Sequence, residues 1–161
     1  VLPGPGPPLH QVAREAASTD ADLAYLDPPY IQHSYRSNYH VWETLVRWDE
    51  PSTYGVAQKR EDCRTHKSPF NSVPGIRPAL ERVLDALRAR WVLVSFSDEG
   101  RIGLDEMEAL LAARGAVTVF EAEHPRYVGA RIGIYNPQGE KVGRVGRLTN
   151  RERLFLVDTR A

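Results

Sequence analysis

The pair Pro28-Pro29, set directly after the apolar run Asp22–Leu26, constrains this 161-residue chain more than any other feature. Proline has no backbone donor and restricts the residue before it, so two in succession end whatever precedes them. The run itself, DLAYL, is short and mainly apolar, the pattern of a buried strand. The strand therefore stops at Asp27. Its carboxylate lies where the chain leaves the sheet.

The remaining segments alternate around this point. Spacing predicts a short helix over Leu9–Ala17 and a longer one over Tyr39–Trp48, with Asn38 as its cap. A polar connection over Glu50–Pro74 has the length at which loops usually carry function. Helical spacing returns over Ile76–Arg90, with Leu80, Val83, Leu84 and Leu87 on one face. Trp91–Phe96 is a second buried strand. Leu104–Arg114 is a helix stopped by Gly115, and Ala116–Phe120 is a third strand. Ala130–Tyr135 and Lys141–Val145 flank the turn signal Asn136-Pro137-Gln138-Gly139, and Arg153–Val157 is a last strand. The pattern predicts an α/β fold with a mostly parallel sheet and antiparallel strands or a hairpin at one end. Residues 1–10, rich in Pro and Gly, read as a flexible leader. Residues 11–161 read as one folded unit.

Composition removes several alternatives. Hydrophobic residues make up 42% and charged residues 26%, as in ordinary soluble domains. The 21 basic and 21 acidic residues cancel, so only local charge can speak for nucleic acid. Cys63 is the one cysteine, which excludes an internal disulfide and fits a cytoplasmic setting. No apolar run has the length to cross a bilayer, so no membrane partner is expected. Cys63 and His66 alone fall short of the four ligands of a structural zinc site, and no metal is expected.

Strand followed by Asp27-Pro28-Pro29-Tyr30 suits one kind of chemistry. Ligands of open α/β sheets sit beyond the carboxyl ends of the strands. An ionised carboxylate there only accepts hydrogen bonds. With the Pro28 carbonyl it offers two acceptors to the two hydrogens of an exocyclic amine, drawing that nitrogen towards tetrahedral geometry for methylation. The prolines remove donors that would compete. Tyr30 supplies a ring on which a base can stack, worth about 1–3 kcal/mol in single-strand complexes. A base in a duplex must first be flipped out. The competing reading is a polar turn after an ordinary strand.

Four segments carry a family resemblance: AYLDPPY (Ala24–Tyr30), YRSNYHVWETLVRWDEP (Tyr35–Pro51), VLVSFSDEG (Val92–Gly100) and RYVGARIGIYNPQGEKVG (Arg126–Gly143). The chain resembles the D12-class adenine-specific DNA methyltransferases, relatives of the Dam methylases, from about Val12 to about Val157. The resemblance implies a partial Rossmann-like methyltransferase fold. It implies S-adenosyl-L-methionine as methyl donor, double-stranded DNA as partner and direct transfer to adenine N6. It assigns catalysis to Asp27, Pro28, Pro29 and Tyr30, with Asp27 also lining the cofactor pocket. The family's glycine-rich cofactor turn, Phe-x-Gly-x-Gly after a strand, has no counterpart ahead of Asp27, and neither does the target-recognition region. The expectation is a C-terminal catalytic part that works with a missing N-terminal half and alone binds the methyl donor weakly or not at all.

Other residues are candidates for DNA. Tyr35, Asn38, Tyr39 and His40 follow the motif closely and can close over a flipped base; Asn38 can equally be a cap. Arg126, Arg131, Lys141, Arg144 and Arg147 face only Glu140 in their segment, and a hairpin with that charge can lie on phosphates. The alternative is a solvated hairpin. Ser68–Ser72 either orders on DNA or is a plain surface loop. Ser95, Phe96, Ser97 and Asp98 end the strand beside the catalytic one and shape the pocket floor, or only pack. Two other functions stay open: a non-catalytic DNA-binding remnant or partner subunit of a split enzyme, and methylation of RNA or protein. Asp in the first motif position favours adenine over protein glutamine.

Overall fold

A computed structural model describes residues 11–29, 34–126, 135–136, 138–143 and 147–160. The run ahead of the prolines is a strand, β1 (Asp20–Leu26), preceded by a single helical turn, α1 (Ala13–Ala16). After the motif come α2 (Tyr35–Asn38) and α3 (His40–Arg47), a two-residue hairpin of β2 (Thr53–Tyr54) and β3 (Lys59–Arg60), and α4 (Asp62–Thr65). A 3-10 turn over Pro69–Asn71 leads into α5 (Val73–Ala86), β4 (Arg88–Ser97), α6 (Leu104–Ala112), β5 (Ala116–Pro125) and β6 (Thr149–Asp158).

The main sheet has the order β1-β4-β6-β5. β1 and β4 are parallel, with Leu26 beside Val94. β6 runs antiparallel to both of its neighbours, β4 and β5. Three strands thus point one way, but only one of the three neighbouring pairs is parallel. The sheet is mixed rather than mostly parallel. Its antiparallel strand lies inside the sheet instead of at one end, because β6 returns between two strands formed earlier in the chain. The predicted hairpin falls in part on residues outside those described. Within it, Tyr135 bridges Lys141, and Asn136 Oδ1 accepts from the Gln138 and Glu140 amides at 3.1 and 2.9 Å, with Gly139 at φ +82°.

Strand alternation sorts the sheet into two faces. Val92, Val94 and Phe96 of β4 and Phe155 and Val157 of β6 turn one way. They meet Ile76, Leu80 and Leu84 of α5 and Met107 and Leu111 of α6 in one buried core. Each large side chain so buried contributes about 1.5–3 kcal/mol. On the other face Leu23, Tyr25, Phe120 and Leu154 remain exposed.

The polar stretch predicted as a loop is folded. Arg60 is almost fully buried and forks onto Asp49, with Nη1–Oδ1 2.6 Å and Nη2–Oδ2 2.8 Å. It also donates to Thr44 and Asp62, and Arg36 donates to Asp62 at 3.0 Å. Bidentate pairs of this kind fix geometry. They tie α2, α3, the β2-β3 hairpin and α4 together. Asn38 ends α2 rather than capping α3. The residue before α3 is Tyr39, and no side chain bonds the α3 amino terminus.

Candidate active site

The parallel register that sets Leu26 beside Val94 brings the next residues, Asp27 and Ser95, side by side. The Ser95 hydroxyl donates to Asp27 Oδ1 at 3.3 Å. Tyr25, two residues before Asp27 and on the same strand face, donates its phenol to Ser95 Oγ at 3.1 Å. A relay from Tyr25 through Ser95 to the carboxylate therefore crosses from β1 to β4 and back. Its acceptor end is an exposed carboxylate at the carboxyl edge of the sheet.

Pro28 is buried and Pro29 half-buried, which anchors the backbone directly after the carboxylate. Beside them lies a cavity of about 390 Å3. Asp27, Pro28 and Pro29 form one rim, Leu26, Leu80 and Val83 the apolar wall, and Ser68 and Phe70 the opposite side. Ser68–Ser72 is thus not an open loop. Ser68 Oγ accepts from the Phe70 amide at 3.3 Å, and the turn packs against α5. Tyr30 lies outside the described residues.

Tyr35 stands close enough to Asp27 to feel its charge. Burial first, then the Asp27 carboxylate and Tyr39, raise the Tyr35 phenol above its ordinary value. It is therefore a neutral donor at physiological pH. The Tyr35 and Tyr39 rings lie 6.0 Å apart, tilted by 57°, and both are exposed. Asn38 is exposed as well, and His40 is half-buried.

The basic segment divides. Arg131 and Arg144 lie outside the described residues. Lys141 is exposed. Arg126 is ion-paired with Glu99 and Arg147 with Asp98, so these two guanidiniums are engaged within the chain. Burial works against the Asp98 charge, but hydrogen bonds from Arg147 and from the Arg151 amide prevail and hold its carboxyl below the usual range. Cys63 is buried and donates its thiol to the Arg36 carbonyl, a structural contact. Among the described residues no three His, Cys, Asp or Glu side chains converge as a metal site. Among them, too, no helix is long and apolar enough to cross a membrane.

Sequence reasoning did not single out Tyr25, whose phenol reaches Asp27 through Ser95. The signal was present: it stands two residues before Asp27 in a strand, hence on the same face.

The chain belongs to the D12 class N6 adenine-specific DNA methyltransferases, whose family model matches residues 10–95. It is 34% identical over 94 residues to the type II methyltransferase M.FokI of Planomicrobium okeanokoites, covering 58% of this chain and 14% of that protein. It is 32% identical over 109 residues to the modification methylase LlaI of Lactococcus lactis subsp. lactis, covering 66% of this chain and 17% of that protein. It is 24% identical over 123 residues to the type II methyltransferase M.NlaIII of Neisseria lactamica, covering 73% and 36%. The chain thus spans 14–36% of the length of these relatives. No solved structure matches it.

Proposed function

We propose that this chain supplies the amine-holding side of a DNA adenine-N6 methyltransferase. The observation that carries the reading is Asp27, oriented by Ser95 and followed by a buried proline, at the carboxyl end of β1. In this reading Asp27 accepts one N6 hydrogen of a flipped adenine and the Pro28 carbonyl accepts the other. The nitrogen lone pair would then be freed from the ring; a sulfonium donor would supply the methyl carbon, its carbon–sulfur bond breaking to leave a neutral thioether while one N6 proton passes to solvent. Tyr30 stacks on the base, and Tyr35 and Tyr39 line its approach. Holding nitrogen and methyl group in line supplies much of the acceleration available to a two-substrate transfer.

S-adenosylmethionine, the methyl donor of this proposal, supplies an electrophilic methyl group on a sulfonium. The described cavity fits only part of such a molecule. Its wall is mainly apolar, and among the described lining residues Asp27 is the one carboxylate. In this reading, then, the rest of the donor's binding wall comes from polypeptide of the kind that makes up the remaining length of the relatives. The internal pairing of Arg126 and Arg147 weighs against a mere DNA-binding remnant.

The test is transfer of labelled methyl groups to duplex DNA by the chain, alone and with the complementary part of a relative supplied in trans, followed by mass spectrometry of the nucleosides. N6-methyladenine that disappears with Asp27→Ala supports the reading. Methylation at cytosine, or an Asp27→Ala variant as active as the parent, refutes it.

A further inference from the structure

The relay at Asp27 begins at Tyr25, a residue with no part in the transfer described above. A serine hydroxyl has one proton and two lone pairs, so it can turn towards whichever neighbour accepts. The Tyr25 phenol restricts that choice. It donates to Ser95 Oγ at 3.1 Å, and the single Ser95 proton goes on to Asp27 Oδ1 at 3.3 Å. Strand geometry builds this path. Tyr25 and Asp27 share one face of β1 because they stand two residues apart. Parallel pairing puts Tyr25 beside Leu93 and Leu26 beside Val94, so Ser95 comes level with Asp27. From position 25 the phenol therefore spans a diagonal of roughly 7 Å along the strands and 5 Å across them. A tyrosine covers that distance with its oxygen, whereas a phenylalanine fills the same space and offers no donor. Tyr25 is not one of the buried core residues, so its oxygen can be removed without disturbing the core.

We propose that Tyr25 is a positioning residue for methyl transfer: through Ser95 its phenol fixes which oxygen of Asp27 is engaged within the sheet and which is presented to the amine. Oδ1 takes the Ser95 proton. Among the described residues no hydrogen bond to Oδ2 competes with it, and Oδ2 is the oxygen that accepts the N6 hydrogen. Holding one oxygen fixes the plane of the carboxylate. Without the phenol, Ser95 is free to rotate and the carboxylate samples other orientations, so fewer bound amines are correctly aligned. That loss falls on the transfer step rather than on DNA binding. A chain of donors also strengthens its last bond, since each hydroxyl is polarised by the one before it. The identity of the amine and of the reaction rests on the function proposed above; the positioning rests on the two hydrogen bonds.

The experiment compares Tyr25→Phe, Ser95→Ala and the double variant in two readouts. The first is the carboxyl carbon resonance of Asp27 in the full chain, isotope-labelled at aspartate and identified by its loss in Asp27→Asn. Tyr25→Phe and Ser95→Ala should each move it, and the double variant should move it no further than Ser95→Ala does. The second is methyl transfer by the chain completed with the complementary part of a relative. There Tyr25→Phe should lower kcat roughly three- to fivefold with little change in KM for DNA. In the Ser95→Ala background it should cost nothing further, because a residue that acts through Ser95 has no effect without it. The proposal is overturned by a resonance or a kcat that Tyr25→Phe leaves unchanged. It is overturned equally by a loss as large without Ser95 as with it, which is the mark of packing. A parent that transfers no methyl group overturns the proposed function instead, and the Asp27 resonance then decides the positioning role.

Discussion

Replacing Gly75 by alanine separates helix propensity from packing at the wall of the Asp27 cavity. Gly75 lies in the first turn of α5. On propensity alone the change stabilises a helix by up to about 1 kcal/mol. A β-carbon built there lies 2.7 Å from the Pro69 carbonyl oxygen and 3.2 Å from Pro69 Cα, and it also meets Ser72 Oγ. A carbon–oxygen contact normally stands at about 3.3 Å or more, so the Pro69 backbone must retreat by roughly 0.6 Å. The serine can rotate away; the backbone cannot. Overpacking of this kind costs about 1–3 kcal/mol, which outweighs or cancels the propensity gain. For a chain of this size 1 kcal/mol is about 2–4 °C in melting temperature. Thermal unfolding of Gly75→Ala should therefore show a midpoint unchanged or lowered by several degrees. Gly75→Ala combined with Ser72→Ala should not restore it, because the backbone contact persists. A midpoint raised by about 2–4 °C would show that Pro69 yields freely and that the cavity wall formed by Ser68 and Phe70 is soft.

Four other outcomes follow from particular contacts. Ser95→Ala, in the chain completed by its complementary part, should lower kcat for methyl transfer roughly tenfold with little change in KM for DNA, the loss of one hydrogen bond to a carboxylate; Ser95→Thr should keep most of the rate, and equal losses in both variants would argue for packing instead. Phe155→Ala, at a fully buried position, should lower the unfolding free energy by about 3–5 kcal/mol in urea titrations; a loss below about 1 kcal/mol would contradict the core described. Asp62 is held below the usual carboxyl range, chiefly by the Arg36 hydrogen bond, and Asp49 chiefly by the Arg60 hydrogen bond. Their stabilisation is complete above the unfolded value of about 3.9 and is lost as pH falls through the lowered folded values, so stability should drop on acidification below about pH 4, and Asp62→Asn should flatten that drop. Trp48 ends α3 in the left-handed region, φ 51° and ψ 43°, while 84% exposed; Trp48→Gly should raise the unfolding free energy by up to about 1 kcal/mol and Trp48→Ala should not, since only glycine relieves the backbone.

Much of the sheet was legible because its strands announce themselves locally. DLAYL and WVLVSF are short apolar runs bounded by breakers, and both are strands. Strand order was not legible. Nothing in the residues Arg153–Val157 says that β6 inserts between β4 and β5, because that choice is made by pairing across the sheet rather than along the chain. Residues 50–74 were misread for a different reason. Hydropathy sees Asp49, Arg60 and Asp62 as loop-forming, yet paired they hold the hairpin and α4 in place. Burying ions is favourable only when partners are satisfied together, and single-residue patterns carry no information on partners.

The site was legible in part, and α3 shows where reading stops. The stripe Val41, Trp42, Leu45, Val46 and Trp48 correctly predicts a helix, but all five side chains are exposed, and the inward side of α3 carries Thr44 against Arg60. Periodicity reports that an apolar face exists and not what covers it. The same holds along β1, where alternation locates Leu23 and Tyr25 on one face without saying that the face is open. Asp27, by contrast, was readable as a candidate because its neighbours are fixed by rules that act over two or three residues. The prolines set where the strand ends, and the strand period sets which side chains share its face. The relay through Ser95 needed one further fact, the parallel register of β1 and β4, and that fact is long-range. The candidate carboxylate of this site is thus written in local sequence, whereas its orientation and walls are written in how strands are placed against one another.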